Sequence, residues 1–93
     1  MQLQFTQYFD EAYRAFDARD AAVVDTMLDR LEDEHDQPYM RSVITVGSFT
    51  LFATPRFEAP SGIYRITWQY DDAEQPTVVS CVTVAMADQR YPM

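Results

Sequence analysis

The hydrophobic period changes once along this 93-residue chain, near Ser42. Before that point apolar residues recur at helical spacing: Val24, Met27, Leu28 and Leu31 stand at i, i+3, i+4 and i+7, the signature of a helix with one buried stripe. After it the pattern alternates. In Ser61-Gly62-Ile63-Tyr64-Arg65-Ile66-Thr67-Trp68-Gln69-Tyr70-Asp71-Asp72 every second residue from Tyr64 to Tyr70 is large and apolar or aromatic, and successive side chains of a strand point to opposite faces. Helices followed by strands can share a core by stacking as two layers, which predicts an α+β fold. At this length the chain is expected to form a single domain, residues 1–93, around one modest core.

The local signals refine this expectation. Gln2 to Phe5 reads as a short strand and Thr6 as the N-cap of a first helix from about Gln7 to Ala18, with Phe9, Tyr13 and Phe16 inward. Asp20 reads as the cap of a second helix, Ala21 to Glu34. Val43–Val46, Ser48–Ala53, Ile63–Tyr70 and Thr77–Met86 read as strands, separated by Gly47, by a loop from Thr54 to Gly62 and by a turn from Asp71 to Pro76. Thr77–Met86 is apolar on both faces, which places it inside the sheet beside Ile63–Tyr70. The predicted architecture is two N-terminal helices packed on one face of a mainly antiparallel four- or five-stranded sheet. No repeat, linker or low-complexity segment interrupts it.

Net charge is −8, unevenly spread. Up to Asp36, ten acids face only Arg14, Arg19 and Arg30, whereas from Gln37 onward five acids face Arg41, Arg56, Arg65 and Arg90. Acidity is therefore a property of the helical part, and Pro38 to Tyr70 is locally positive. Polyanion binding works by displacing condensed counterions with cations, so such a chain is a poor general nucleic-acid binder and any contact of that kind has to be local. The acidic residues of the second helix are either a solvated surface or a face for a partner.

Several chemistries lack their residues. Cys81 is the only cysteine; set in the apolar run Val78 to Val82, it is expected to be a buried, reduced thiol, which fits a cytoplasmic protein. His35 is the only histidine, expected on the surface among acids, so neither a transition-metal cluster nor a nucleophilic triad is predicted, and no cofactor. Glu32-Asp33-Glu34-His35-Asp36 lacks the spacing of a calcium loop. With Gly47 and Gly62 alone, there is no glycine-rich phosphate loop. No signal peptide or membrane-spanning run is predicted.

The remaining candidate is the helix-free face of the sheet. Arg65 alternates with the aromatic positions and so points away from the core, and Arg56 lies in the loop leading back toward the same strand. A guanidinium is a planar fork suited to phosphate or carboxylate. Arg90 and Tyr91, beyond the last strand, are candidates for the same rim.

Gly62-Ile63-Tyr64-Arg65-Ile66, then Asp71-Asp72 and the valine-rich last strand, resemble the RelE/ParE superfamily of toxin–antitoxin toxins, in which a G-x-Y-R-[IV]-x-[YW] strand precedes an acidic turn and a V-rich strand. The motif covers about 25 residues, and the order of elements extends the likeness over most of the chain. The resemblance implies a metal-independent, ribosome-dependent mRNA endoribonuclease in which a ribose 2′-OH attacks the adjacent phosphate. It gives Arg65 the scissile phosphate, Arg56 and Arg90 the roles of further cations, and Tyr91 that of a terminal tyrosine. The implied partners are an antitoxin-like protein and mRNA on the ribosome, with a homodimer left open and no membrane contact. Cleaving members are lysine-rich around the central strand, whereas this chain has no lysine. The alternative is a non-catalytic acidic protein-interaction module on the same fold, binding through the second helix or a sheet edge.

Overall fold

A computed structural model describes residues 1–72 and 74–86. The elements follow in the order β1 (Gln2–Phe5), α1 (Gln7–Arg14), α2 (Ala18–Glu34), a 3-10 turn (Pro38–Met40), β2 (Ser42–Val46), β3 (Phe49–Ala53), β4 (Phe57–Ala59), β5 (Gly62–Tyr70) and β6 (Val78–Met86). Two N-terminal helices pack against one mixed sheet, the α+β architecture expected.

The strand path is β1-β6-β5-β3-β2, with β4 also paired to β5. All pairs are antiparallel except β1 with β6. The six strands exceed the four or five expected because Phe57–Ala59, read from sequence as loop, forms β4. It pairs with the start of β5 on the side away from β6, while β3 pairs with Trp68 and Thr67 further along the same edge. β3 and β4 are thus two halves of one ladder, broken at Thr54-Pro55-Arg56. The break is repaired by Thr54: its N–H donates to the Ile66 carbonyl at 2.9 Å, and its Oγ1 accepts from the Ile66 N–H at 3.1 Å. A side-chain hydroxyl stands in for the missing backbone acceptor.

β6 lies inside the sheet, between β1 and β5. Its pairing with β5 shifts between Thr67 and Trp68, which face Thr83 and Cys81 and leave Val82 as an extra bulged residue. Thr6 closes this irregularity. Its N–H donates to the Cys81 carbonyl at 3.1 Å and its Oγ1 donates to the Val82 carbonyl at 2.5 Å, while the same oxygen caps α1 by accepting from the Phe9 N–H.

The helix boundaries differ from the expectation. α1 ends at Arg14, not near Ala18, and α2 starts at Ala18 with Asp17, not Asp20, as its cap. Both aspartates suit an N-terminus, but Asp17 accepts from the N–H groups of Arg19 and Asp20. Asp20 is instead buried in the first turn, and its carboxylate accepts from the Ser61 N–H at 3.1 Å, tying α2 to the β4–β5 turn.

The core lies between the helices and one face of the sheet. Val24, Met27, Leu28 and Leu31 of α2 are buried in the same cluster as Tyr64, Ile66 and Trp68 of β5. Leu31, Ile66 and Trp68 are fully enclosed, and side chains of this kind contribute about 1.5–3 kcal/mol each when removed from water. The Trp68 indole N–H is satisfied by the Met40 carbonyl at 2.9 Å. Cys81 is also fully buried, with its thiol pushed up to about 12 by desolvation. No helix among the described residues is long and apolar enough to cross a membrane.

Candidate functional site

The sheet face opposite the helices is almost free of charge. Among the described residues that belong to strands, Glu58 is the only acid and Arg65 the only base; the other described acids lie in or beside the helices or in the turn after β5. Alternation along β5 buries Tyr64, Ile66 and Trp68 toward the helices and turns Ile63, Arg65, Thr67 and Gln69 the other way. Arg65 is half-buried there, in register with Ala85 of β6. Arg56 is exposed just before β4. The β4–β5 pairing begins at Phe57 with Tyr64, and Arg56 stands one residue before it, in the break between β3 and β4. Neither guanidinium has a carboxylate or hydrogen-bond partner among the described residues, where the one ion pair is Arg30 with Glu34 at 3.5 Å on α2. Arg90 and Tyr91 lie outside the described residues.

Further along the same face a groove of about 460 Å³ opens. It is lined by Tyr8, Phe49, Leu51, Gln69, Val82 and Thr83, with Thr6 at its edge. Tyr8 and Phe49 are 71% and 69% exposed, whereas Leu51 is buried. Period-2 reading assigns Phe49 and Leu51 to one face of β3, but Tyr8 reaches this face only because Thr6 fixes the start of α1 against the β6 bulge. Sequence reasoning missed the groove for that reason.

A second cluster was also missed. The Tyr70 hydroxyl lies 2.9 Å from Nδ1 of His35 and accepts from Nη2 of Arg41 at 2.5 Å, while Nε of Arg41 donates to the His35 carbonyl at 2.9 Å. The Arg41 guanidinium also sits over the Tyr70 and Phe52 rings, at 5.4 and 6.0 Å from their centroids. His35 is therefore half-buried and bonded, not a surface residue among acids, because the 3-10 turn folds Arg41 back over the C-terminus of α2. Desolvation holds its pKa below the usual histidine range. The cluster lies on the helix side, away from Arg65. Among the described residues no group of three or more His, Cys, Asp or Glu side chains is placed to hold a metal ion.

Comparison with known proteins adds no relative: no family model, curated protein or solved structure matches this chain.

Proposed function

We propose that this chain is a toxin-like domain of the RelE/ParE kind that acts on RNA through an anion site at Arg65. The observation that carries the reading is an arginine on a sheet face whose one acid among the described strand residues is Glu58, with no carboxylate bonded to that arginine among the described residues, in a chain of net charge −8. An unpaired, half-buried guanidinium keeps its donors for an incoming anion, and a phosphodiester offers the matching pair of oxygens. The acids on the helices lie on the other side of the sheet from this face.

In this reading Arg65 holds the non-bridging oxygens of the phosphate and Arg56 adds a second cation. The ribose 2′-hydroxyl gives up its proton and its oxygen bonds phosphorus as the 5′-oxygen leaves and takes up a proton, giving a 2′,3′-cyclic phosphate and a 5′-hydroxyl. Arginine stabilises the extra negative charge of the pentacoordinate state without moving a proton. Arg90 and Tyr91 join by sequence order, as a further cation and a proton carrier. The expected protein partner is an antitoxin-like segment, and the expected compartment is the cytoplasm.

Induction of the wild-type chain in a bacterial host should arrest growth, with new 5′ ends in messenger RNA, and Arg65→Ala at equal soluble yield should do neither. Absence of arrest, or equal arrest by both proteins, would overturn the reading. A non-catalytic interaction module is the second reading, favoured by one feature. β2 is a sheet edge with no charged residue, Ser42–Val46, and an uncharged edge is a template for an added strand. A partner captured through this edge by both wild type and Arg65→Ala, without RNA cleavage, would support the module.

A further inference from the structure

Resting on the RNA reading of Arg65, we propose that the groove between Tyr8 and Phe49 is a nucleobase-stacking subsite for the single strand whose phosphate Arg65 holds. Four observations converge on this occupant. The two aromatic rings are the most exposed large hydrophobic side chains of the described residues, at 71% and 69%. They approach from opposite sides of the two central strands, Tyr8 from the start of α1 beside β6 and Phe49 from β3 beyond β5. The groove holds no charged lining residue, and its polar groups are the neutral Thr6, Gln69 and Thr83, which can hydrogen-bond a base edge without an ionic preference. It also lies on the arginine's own face: Thr83 is paired with Thr67, two residues along β5 from Arg65, and Gln69 is four residues along. At about 3.3 Å per residue those positions are roughly 7 and 13 Å from Arg65, a span that a short single strand bridges.

Charge decides against an acidic peptide or a basic one. A basic segment would be repelled by Arg65 and Arg56 and drawn to the helices instead; an acidic segment could pair with the arginines but would leave Tyr8 and Phe49 unused. RNA supplies both an anion and a flat apolar ring in each unit. Single-stranded nucleic acid is held in this manner elsewhere, by aromatic platforms beside a cationic track. The subsite also answers the acidity of the chain: stacking is insensitive to salt, so affinity need not come from a large positive surface.

Fluorescence anisotropy of a short labelled single-stranded RNA, and of an abasic strand of equal length, tests this against Phe49→Ala, Tyr8→Ala, Phe49→Trp and Arg65→Ala. Circular dichroism and Trp68 emission establish that each variant folds. Phe49→Ala and Tyr8→Ala are each expected to weaken binding by roughly 5- to 100-fold, while Phe49→Trp retains it. The abasic strand should bind the wild type as weakly as the intact strand binds the alanine variants. Arg65→Ala should lower the slope of log K against log salt by about 0.7, the value for one contact with a single strand, and Phe49→Ala should leave that slope unchanged. Equal binding of intact and abasic strands, or loss with Arg65→Ala alone, would overturn the stacking subsite and leave the anion site standing. No RNA binding by the wild type at low salt would also overturn it, and the growth assay then decides the proposed function separately. A dimer in sedimentation that Phe49→Ala dissociates, with RNA affinity unchanged, would reassign the groove to a second copy of the chain.

Discussion

The Tyr70 hydroxyl lies 2.9 Å from Nδ1 of His35, across 35 positions of sequence. Its oxygen accepts from Arg41 and its proton has two acceptors in reach, Nδ1 and the His35 carbonyl at 3.5 Å; donation to Nδ1 goes with the neutral imidazole. Burial favours the same form, as do the positive charges of the N-terminus and Arg41, while Asp36 opposes them. The folded-state pKa is thus depressed below the unfolded value of about 6.5. A histidine held neutral contributes stability that is fully present above the unfolded value and declines as pH falls through it toward the folded value. Melting temperature should therefore drop between about pH 7.5 and about pH 5.5, and His35→Gln should flatten that drop. Identical profiles for the two proteins would show that His35 is not the responsible group.

Thr54 carries the junction between β3 and β4. Thr54→Val keeps the shape but removes the acceptor for the Ile66 N–H, in a site that is 1% exposed. Leaving a buried donor unpaired costs about 1–3 kcal/mol, to be read from denaturant unfolding, and Thr54→Ser should recover most of it. A loss below about 0.5 kcal/mol, the lower end for an ordinary hydrogen bond, would mean the ladder closes by other means.

Thr6 joins the α1 cap to the β6 bulge, so Thr6→Ala removes two interactions of one oxygen. Loss of a threonine cap alone costs about 0.5–2 kcal/mol. Because the same change frees Tyr8 from its fixed position over the groove, RNA affinity should fall alongside stability. A destabilised protein with unchanged affinity would separate the cap from the groove.

Asp71 organises the β5–β6 turn, accepting from the N–H groups of Thr77 and Val78 and from the Thr77 hydroxyl. These donors, led by the hydroxyl, hold its carboxyl well below the usual carboxylate range. The contribution is present above the unfolded pKa of about 3.9 and is lost only as pH falls through the lower folded value. Asp71→Ala should speed amide hydrogen exchange at Thr77 and Val78 at neutral pH, with β1 and the helices unaffected. Uniform acceleration across the sheet would instead make the turn part of the global unfolding unit.

The parts of the fold that were legible depend on neighbours in sequence. The stripe of Val24, Met27, Leu28 and Leu31, the alternation from Tyr64 to Tyr70 and the two-sided apolar character of β6 each encode an element and its buried face, and all three hold in the structure. Phe57–Ala59 was illegible as a strand because three residues between Pro55 and Pro60 carry no measurable period; β5 supplies the pairing that makes it one. Asp17 and Asp20 are chemically equivalent caps in sequence, and the choice fell to Asp17 because Asp20 had Ser61 to bind across the fold.

The sequence by itself determined the layer order, the outward direction of Arg65 and the concentration of acids in the helical part, since each follows from side-chain period or from which residues an element contains. Tertiary structure alone decided that Tyr8 and Phe49 line one groove and that His35 meets Tyr70 and Arg41. Those pairings join residues six to 41 positions apart, and their placement depends on a bulge and a 3-10 turn. Such irregularities arise where backbone donors and acceptors must be satisfied after the layers have packed, so no local pattern announces them.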